Sequence, residues 1–476
     1  MSNSEQHTSE TFGLGERIFR GGLLLAARQV LSIVVSVLGF LFLIRFLGPT
    51  EYGRYTAAFG INAFTAATAQ LGIGVFLVRG AKDPDALTFN IASTFLFVTG
   101  VAAAIVELIV ATNAGTLIGL GQAMPILAFL ALGLPVNLLT IPVQARFERK
   151  LDYLRIAVVE LTVQLIFYAV SLPLALSGYG AWSLATGLIV QQVLECVLYH
   201  VLARWVPRPA WRWSILKDML RYSIGFSLSS AIWTARGLVN SVIVGSLLGV
   251  EAVAFVALAA RVIDMLAFVK NATWRLSIAA LSKIENDPAR LLRALDQGMV
   301  LQVLALGPFL VLFALLGRDI VTLALGGRWL PILTLYPFIA VSTLTNAVFS
   351  MHSYVLYIFR RNLDVAIFNA IHVSVFAAAA WLLLSSFGII GYGYAELCAI
   401  PTYVALDILL RRRLGSPSYA MVLSWYVPIA AAILLHAFAW WTACVVLVPL
   451  AWQRNRTTVI LFIRRSRSVM QFDQIT

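Results

Sequence analysis

Residues 30–55 read VLSIVVSVLGFLFLIRFLGPTEYGRY. Val30–Ile44 carries no charge, and the apolar run containing it extends over 22–45, interrupted by Arg28 and Gln29. A helix needs ~20 apolar residues to cross the hydrocarbon of a bilayer, so this run is long enough to span. It then meets Gly48-Pro49, a pair that stops or redirects a helix, followed by an acid and three aromatic or small residues. The stretch therefore reads as a membrane helix entering a turn, and the rest of the chain repeats that grammar.

Of 476 residues, 60% are hydrophobic and 12% charged. A soluble domain carries about 25% charged residues, which excludes a water-exposed globular enzyme. Apolar segments fall at 22–45, 56–78, 87–111, 123–145, 154–177, 180–203, 223–248, 252–274, 294–317, 331–358, 365–387, 389–410, 421–435 and 437–452. The expected fold is an all-α polytopic membrane protein of about fourteen transmembrane helices, the last two short for a span. The polar first 20 residues precede a run too long for a signal-peptide core, so the N-terminal segment is expected to be retained.

The net charge is +13, a balance that in a soluble chain would raise nucleic acid as a partner. Here it reports topology instead. With the N-terminus placed in the cytoplasm, 27 of the 35 Lys and Arg fall in inside loops. Only Arg45, Arg54, Arg318 and Arg328 fall outside, while Arg28, Arg236, Arg261 and Lys270 lie within spans. A wrong span count would scramble this asymmetry, so an even number of helices with both termini cytoplasmic is expected, and no nucleic-acid partner. The outside turns Ser177–Gly180, Gly249–Val250 and Phe387–Gly391 leave no room for an external domain. The longest inside connection, Pro207–Tyr222, reads as an amphipathic interfacial segment. No GxxxxGK[ST] phosphate loop occurs, and Cys196, Cys398 and Cys444 lie in apolar runs without metal-ligand spacing, so neither a cofactor nor a metal site is expected.

Short signals recur in two halves. Phe46–Tyr55 is echoed by Leu247-Leu248-Gly249-Val250-Glu251-Ala252-Val253-Ala254-Phe255, and Gly178-Tyr179-Gly180-Ala181 by Gly388-Ile389-Ile390-Gly391-Tyr392-Gly393. Six spans return the chain to its starting side, so two parallel six-helix lobes in pseudo-two-fold repeat are expected, with two C-terminal helices appended. The divisions are 1–206 for the N-terminal lobe, 207–222 for a cytoplasmic linker, 223–413 for the C-terminal lobe, and 414–476 for the last helices and a basic tail.

The Arg-bearing first helix, FLGPTEYGRY (46–55), Leu71-Gly72-Ile73-Gly74 with Val78-Arg79, GYGAWSLATG (178–187) and Gly326-Gly327-Arg328-Trp329 together resemble the polysaccharide transporter family. These are the O-antigen and exopolysaccharide flippases of the multidrug/oligosaccharidyl-lipid/polysaccharide superfamily. The resemblance spans essentially the whole chain, although Val253-Ala254-Phe255 departs from the Gly-x-Tyr ending usual in the second half. It implies translocation of undecaprenyl-diphosphate-linked oligosaccharide repeat units across the bacterial inner membrane by alternating access, without ATP. It implies a transporter rather than an enzyme, in contact with membrane lipids, with a polysaccharide polymerase or chain-length regulator as a candidate protein partner.

An ionisable group inside a span is costly, and so each is a candidate site. Arg236 lies midway along the seventh span with Asn240 at i+4, and it either lines a polar cavity or pairs with a buried acid. Arg28, seven residues into the first helix, either snorkels to the interface or serves the site. Related lipid-linked precursor flippases carry cavity arginines on this helix. Arg261 and Asp264, i,i+3 on the eighth span, either pair with each other or open with the cavity. Lys270 reads as a snorkelling anchor.

Glu160 with Gln164, Glu195 with Gln191, Glu396, Asp407 and Glu107 are candidate counter-ions or coupling-ion sites. Of these, Glu160 is the best placed for ion coupling. His352 and His372 read as packing or interfacial residues. Arginine suits a diphosphate because its planar fork donates bidentately and stays charged. The cationic set Arg28, Arg236 and Arg261, with Asn240, is therefore the candidate diphosphate site. The main rival is an ion-coupled multidrug or organic-cation antiporter of the same superfamily, which should place acids in its cavity, whereas the first helix here carries Arg28 and no acid.

Overall fold

The computed structural model describes residues 3–80, 83–113, 119–267, 281, 284–359, 361–436, 440–451, 453 and 455–456, and the side chains from 35 onward apart from 226, 440–443 and 450. Every element among these residues is helical. In chain order they are α1 Asn3–Ala69, α2 Ile73–Arg79, α3 Ala86–Asn113, α4 Met124–Ala131, α5 Leu134–Arg149, α6 Tyr153–Leu176, α7 Ala181–Ala203 and α8 Trp213–Leu238. A π segment, Val239–Val244, leads into α9 Gly245–Leu248, and α10 Val250–Leu266, α11 Pro288–Ala324, α12 Ile332–Ile358, α13 Asn362–Phe387, α14 Ile390–Ala399, α15 Tyr403–Leu414 and α16 Tyr419–Leu435 follow.

Among the described residues nine helices are long and apolar enough to cross a membrane, or ten if the bent pair α4–α5 is one span. That pair is broken by 42° around Leu132-Gly133-Leu134-Pro135, where glycine and proline interrupt the fourth apolar run. The eighth, thirteenth and fourteenth runs are short or fall partly outside the described residues. The described residues up to Leu41 and from Leu447 form one body and Phe42–Val446 a second; the interactions below belong to the second.

The stretch that opened the sequence is a kinked helix. Gly48 takes φ 74° and ψ 170°, a conformation open to glycine, and Pro49 restarts the helix at a position where its missing N–H costs nothing. Glu51 then reaches the second motif: the backbone N–H of Ala181 donates to its Oε2 at 2.9 Å, and Arg54 donates to its Oε1 at 2.6 Å. The acid thus sits at the N-terminus of α7, where the helix dipole favours it. Trp329, from the Gly-Gly-Arg-Trp stretch, packs edge-on to Tyr52 and Phe255, with centroids 5.9 and 6.1 Å away. Arg328 donates to the Arg45 carbonyl at 3.4 Å and Arg45 to the Leu323 carbonyl at 2.9 Å. Three of the motifs that carry the family resemblance, 46–55, 178–187 and 326–329, therefore interlock.

The two echoing turns also touch. A Cβ at Gly53 would lie 1.9 Å from the Val250 carbonyl oxygen, and one at Gly60 would lie 1.9 Å from Ser241 Oγ. Farther along, Gly72 faces Ser223 and Ser227. Small residues let membrane helices approach this closely, and here they form an antiparallel seam of α1 against α10 and the π segment, continued by the turn before α2 against α8.

The linker is docked rather than loose. Arg208 and Ala210 donate their backbone N–H groups to Asn90 Oδ1 and Thr94 Oγ1 on α3, at 3.1 and 3.0 Å. Leu216 and Met219, in the first turns of α8, are buried among Ile73, Leu77, Phe95 and Leu138. In the C-terminal half α12 is the most buried described span, flanked by α10, α11, α14, α15 and α16.

Candidate functional site

Arg236 stands two residues before the end of α8, and the backbone then widens into the π segment. One of its terminal nitrogens, Nη2, donates to both carboxylate oxygens of Glu396 on α14. Ser342 on α12 adds a third hydrogen bond, from Oγ to Glu396 Oε2 at 2.7 Å. Glu396 is 1% exposed and the Arg236 side chain 26%, so the acid is sealed and the base is not. The guanidinium lies over the rings of Phe376 and Trp233, 4.9 and 5.7 Å from their centroids, a stacking that a planar, weakly hydrated cation favours. Its Nε is buried without a hydrogen-bond partner among the described residues.

Asn240 does not join this cluster. The π turn adds a residue per turn and rotates the positions after it, so the i+4 stripe expected of an α-helix is split. Asn240 Nδ2 donates to the Val253 carbonyl of α10 at 3.3 Å, and its Oδ1 is buried without a partner among the described residues. Arg261 and Asp264 lie exposed on α10, and Arg261 is within electrostatic reach of Tyr52 and Tyr55 on α1. The side chain of Arg28, and Lys270 altogether, lie outside the described residues.

A second polar cluster holds Asp407 and His352. Tyr419 Oη donates to Asp407 Oδ1 at 2.6 Å, and Arg411 Nε pairs with Oδ2 at 2.6 Å. Since the tyrosine hydrogen is used on Asp407, His352 Nε2, 2.7 Å from the same oxygen, must be the donor to it. His352 is buried and its Nδ1 has no partner among the described residues. That is the pattern of a neutral ring serving as a structural tie. His372 behaves alike: Thr402 Oγ1 donates to the Ala399 carbonyl at 2.6 Å and so accepts from His372 Nδ1 at 2.8 Å, while the ring stacks on Trp233.

The acids of the N-terminal half are disposed differently. Glu107 is buried, accepts from Asn62 Nδ2 at 3.0 Å, and has no partner for Oε1 among the described residues. Glu160, exposed on α6, and half-buried Glu195 on α7 feel each other's charge. Of the residues named from the sequence, the structure brings together Arg236 with Glu396, Asp407 with His352 through Tyr419, and Glu160 with Glu195. Ser342, Phe376 and Tyr419 carried no sequence signal, being ordinary residues of apolar runs until the fold places them.

A family described as "Polysaccharide biosynthesis protein" matches residues 42–334, more than half of the chain. The chain belongs to this family. It is 23% identical over 188 residues to the succinoglycan biosynthesis transport protein ExoT of Rhizobium meliloti (strain 1021). The alignment covers 38% of this chain and only 37% of that relative's length. Among solved structures, the lipid II flippase MurJ in an inward closed conformation superposes with a TM-score of 0.69 at 12% identity, over 93% of this chain and 99% of that one. An inward-facing multidrug resistance MATE transporter superposes with a TM-score of 0.58 at 16% identity, over 82% of this chain and 98% of that one. At such identities the superpositions establish the fold alone, a multi-pass helical one.

Proposed function

We propose that the protein is a flippase that moves undecaprenyl-diphosphate-linked oligosaccharide repeat units across the bacterial inner membrane by alternating access, for surface or exopolysaccharide synthesis. Its termini lie in the cytoplasm, its lobes are 1–206 and 223–413, and the 207–222 segment links them. The 414–476 segment is an appendage that a polymerase or chain-length regulator could contact. The protein moves its substrate without making or breaking covalent bonds in it.

The observation that carries the reading is the state of Arg236. Glu396 is engaged through both carboxylate oxygens by this arginine, while the arginine keeps partial exposure and an Nε without a partner among the described residues. A diphosphate needs such a donor, because moving its charge bare through ~30 Å of hydrocarbon is prohibitive. Arg28 and Arg261 are the further contacts proposed for the headgroup, and the prenyl chain stays in lipid; Asn240, turned toward α10, is not among them. Glu160 is proposed for ion coupling, beside Glu195, with Asp264 and Glu396 as counter-ions.

The second reading, an ion-coupled multidrug or organic-cation antiporter, draws support from the MATE-like superposition. Deleting the gene separates the two. The flippase reading expects lipid-linked oligosaccharide to accumulate in the inner leaflet and surface glycan to be lost, both restored by the wild-type gene. Unchanged glycan with raised sensitivity to cationic dyes would favour the antiporter.

A further inference from the structure

We propose that a cavity between α8, α12, α13 and α15 is a carbohydrate subsite that takes one neutral pyranose ring; it rests on the flippase reading and names the part of the substrate this lobe holds. The cavity has a volume of about 260 Å³. That lies below the ~300–1,000 Å³ of pockets for drug-sized ligands, so it suits a single ring rather than an oligosaccharide.

The lining has the two features a sugar requires: aromatic rings, Trp233, Phe349 and Phe368, for its C–H groups, and Asn346, Asn369 and Ser353 for its hydroxyls. The amides are held in place: Asn346 Nδ2 donates to Tyr403 Oη at 2.8 Å, and Asn369 Nδ2 donates to both O and Oγ of Ser229 at 3.1 Å. A rigid polar pattern of this kind fixes orientation without a further ordering cost on binding. No charged side chain lines the cavity among the described residues.

Aromatic walls alone would also suit an organic cation. The charge next to the cavity argues against one. Trp233 is shared between the cavity and the Arg236 guanidinium, and the acids of the helices around it, Glu396, Asp364 and Asp407, are already paired with Arg236, Arg361 and Arg411. A cation entering here would meet a positive neighbour and no free carboxylate; a neutral ring would meet neither penalty. The cavity also lies beside the turn joining α12 to α13, at the end that the basic-residue pattern assigns to the cytoplasm, where the proposed substrate enters.

The test uses purified full-length protein in lipid nanodiscs, saturation-transfer NMR, and two kinds of probe. These are the methyl glycosides of glucose, galactose and mannose, and tetraphenylphosphonium. At least one glycoside is expected to bind the wild type, and binding is expected to weaken about tenfold or more in Ser353→Phe, which fills the cavity, and in Asn346→Leu, which removes an amide. Ser385→Phe, at the far end of α13, serves as the control and should stay within about twofold of wild type. Thermal unfolding confirms that each variant is folded. The proposal is overturned if no glycoside binds the wild type, if binding survives both cavity variants, or if tetraphenylphosphonium is the probe that Ser353→Phe displaces. Glycan export in cells separates the two levels of the account. Normal export by Ser353→Phe sinks the subsite and leaves the flippase, whereas failure of the wild-type gene to restore export sinks the flippase reading itself.

Discussion

Replacing Glu396 by Gln keeps the shape of the side chain and an acceptor for Ser342 but strips Arg236 of its counter-ion. Removing one partner of a buried ion pair costs about 3–5 kcal/mol, because the remaining charge is stranded in a low-dielectric site. The Arg236 side chain is 26% exposed, so water recovers part of that penalty; the lower end, about 3 kcal/mol, is expected. Arg236→Gln alone should cost a similar amount, since it leaves the fully buried carboxylate unpaired. The double variant removes both charges and should cost about 1 kcal/mol, a coupling well outside the ~0.5 kcal/mol expected of independent sites. Thermal unfolding of the purified protein, followed by tryptophan fluorescence, measures this. With about 2 °C per kcal/mol for a large domain, Tm should fall by about 6 °C in each single variant and by about 2 °C in the double. A Glu396→Gln protein that unfolds with wild type, or a double variant whose loss is the sum of the singles, would refute the claim that this pair is a desolvated unit.

Two further outcomes test the interlocked motifs. Gly53→Ala places a methyl group 1.9 Å from the Val250 carbonyl oxygen, so the seam must part, at a cost of about 1–3 kcal/mol. A cysteine pair across α1 and α10 should then crosslink more slowly than in the Gly53 protein, and an unchanged rate would mean that the close approach is dispensable. Glu51→Ala removes the acceptor at the start of α7 and the partner of Arg54, and should destabilise by about 1 kcal/mol; thermal unfolding checks it.

What could be read in the sequence was whatever local chemistry determines. Apolar runs of spanning length mark helices, and Gly48-Pro49 marks the kink, because both follow from a few consecutive residues. The break at Gly133 lay inside a run counted as one span, since a single glycine before a proline does not show by how much a helix bends. Arg236 stood out because arginine in a span is costly. Glu396 stood out on the same ground, but not as its partner, since it lies 160 positions away and meets Arg236 only through the packing of α8, α13 and α14. The π segment is equally illegible: nothing in Val239–Val244, VNSVIV, marks a widened turn, and its extra residue per turn sends Asn240 to α10 instead of beside Arg236. The cavity wall is assembled from residues of four helices spread between positions 229 and 403, which no window along the chain can reveal.

The central claim, that this protein moves a lipid-linked glycan, is tested most directly in proteoliposomes containing the purified protein alone. Undecaprenyl-diphosphate-linked oligosaccharide bearing a fluorescent sugar is placed in one leaflet, and its appearance in the other is followed with a membrane-impermeant quencher. Translocation well above that of empty liposomes, and lost in Arg236→Gln, is the predicted result. Background-level translocation of the lipid-linked glycan, with a cationic dye moved instead against an imposed ion gradient, would contradict it.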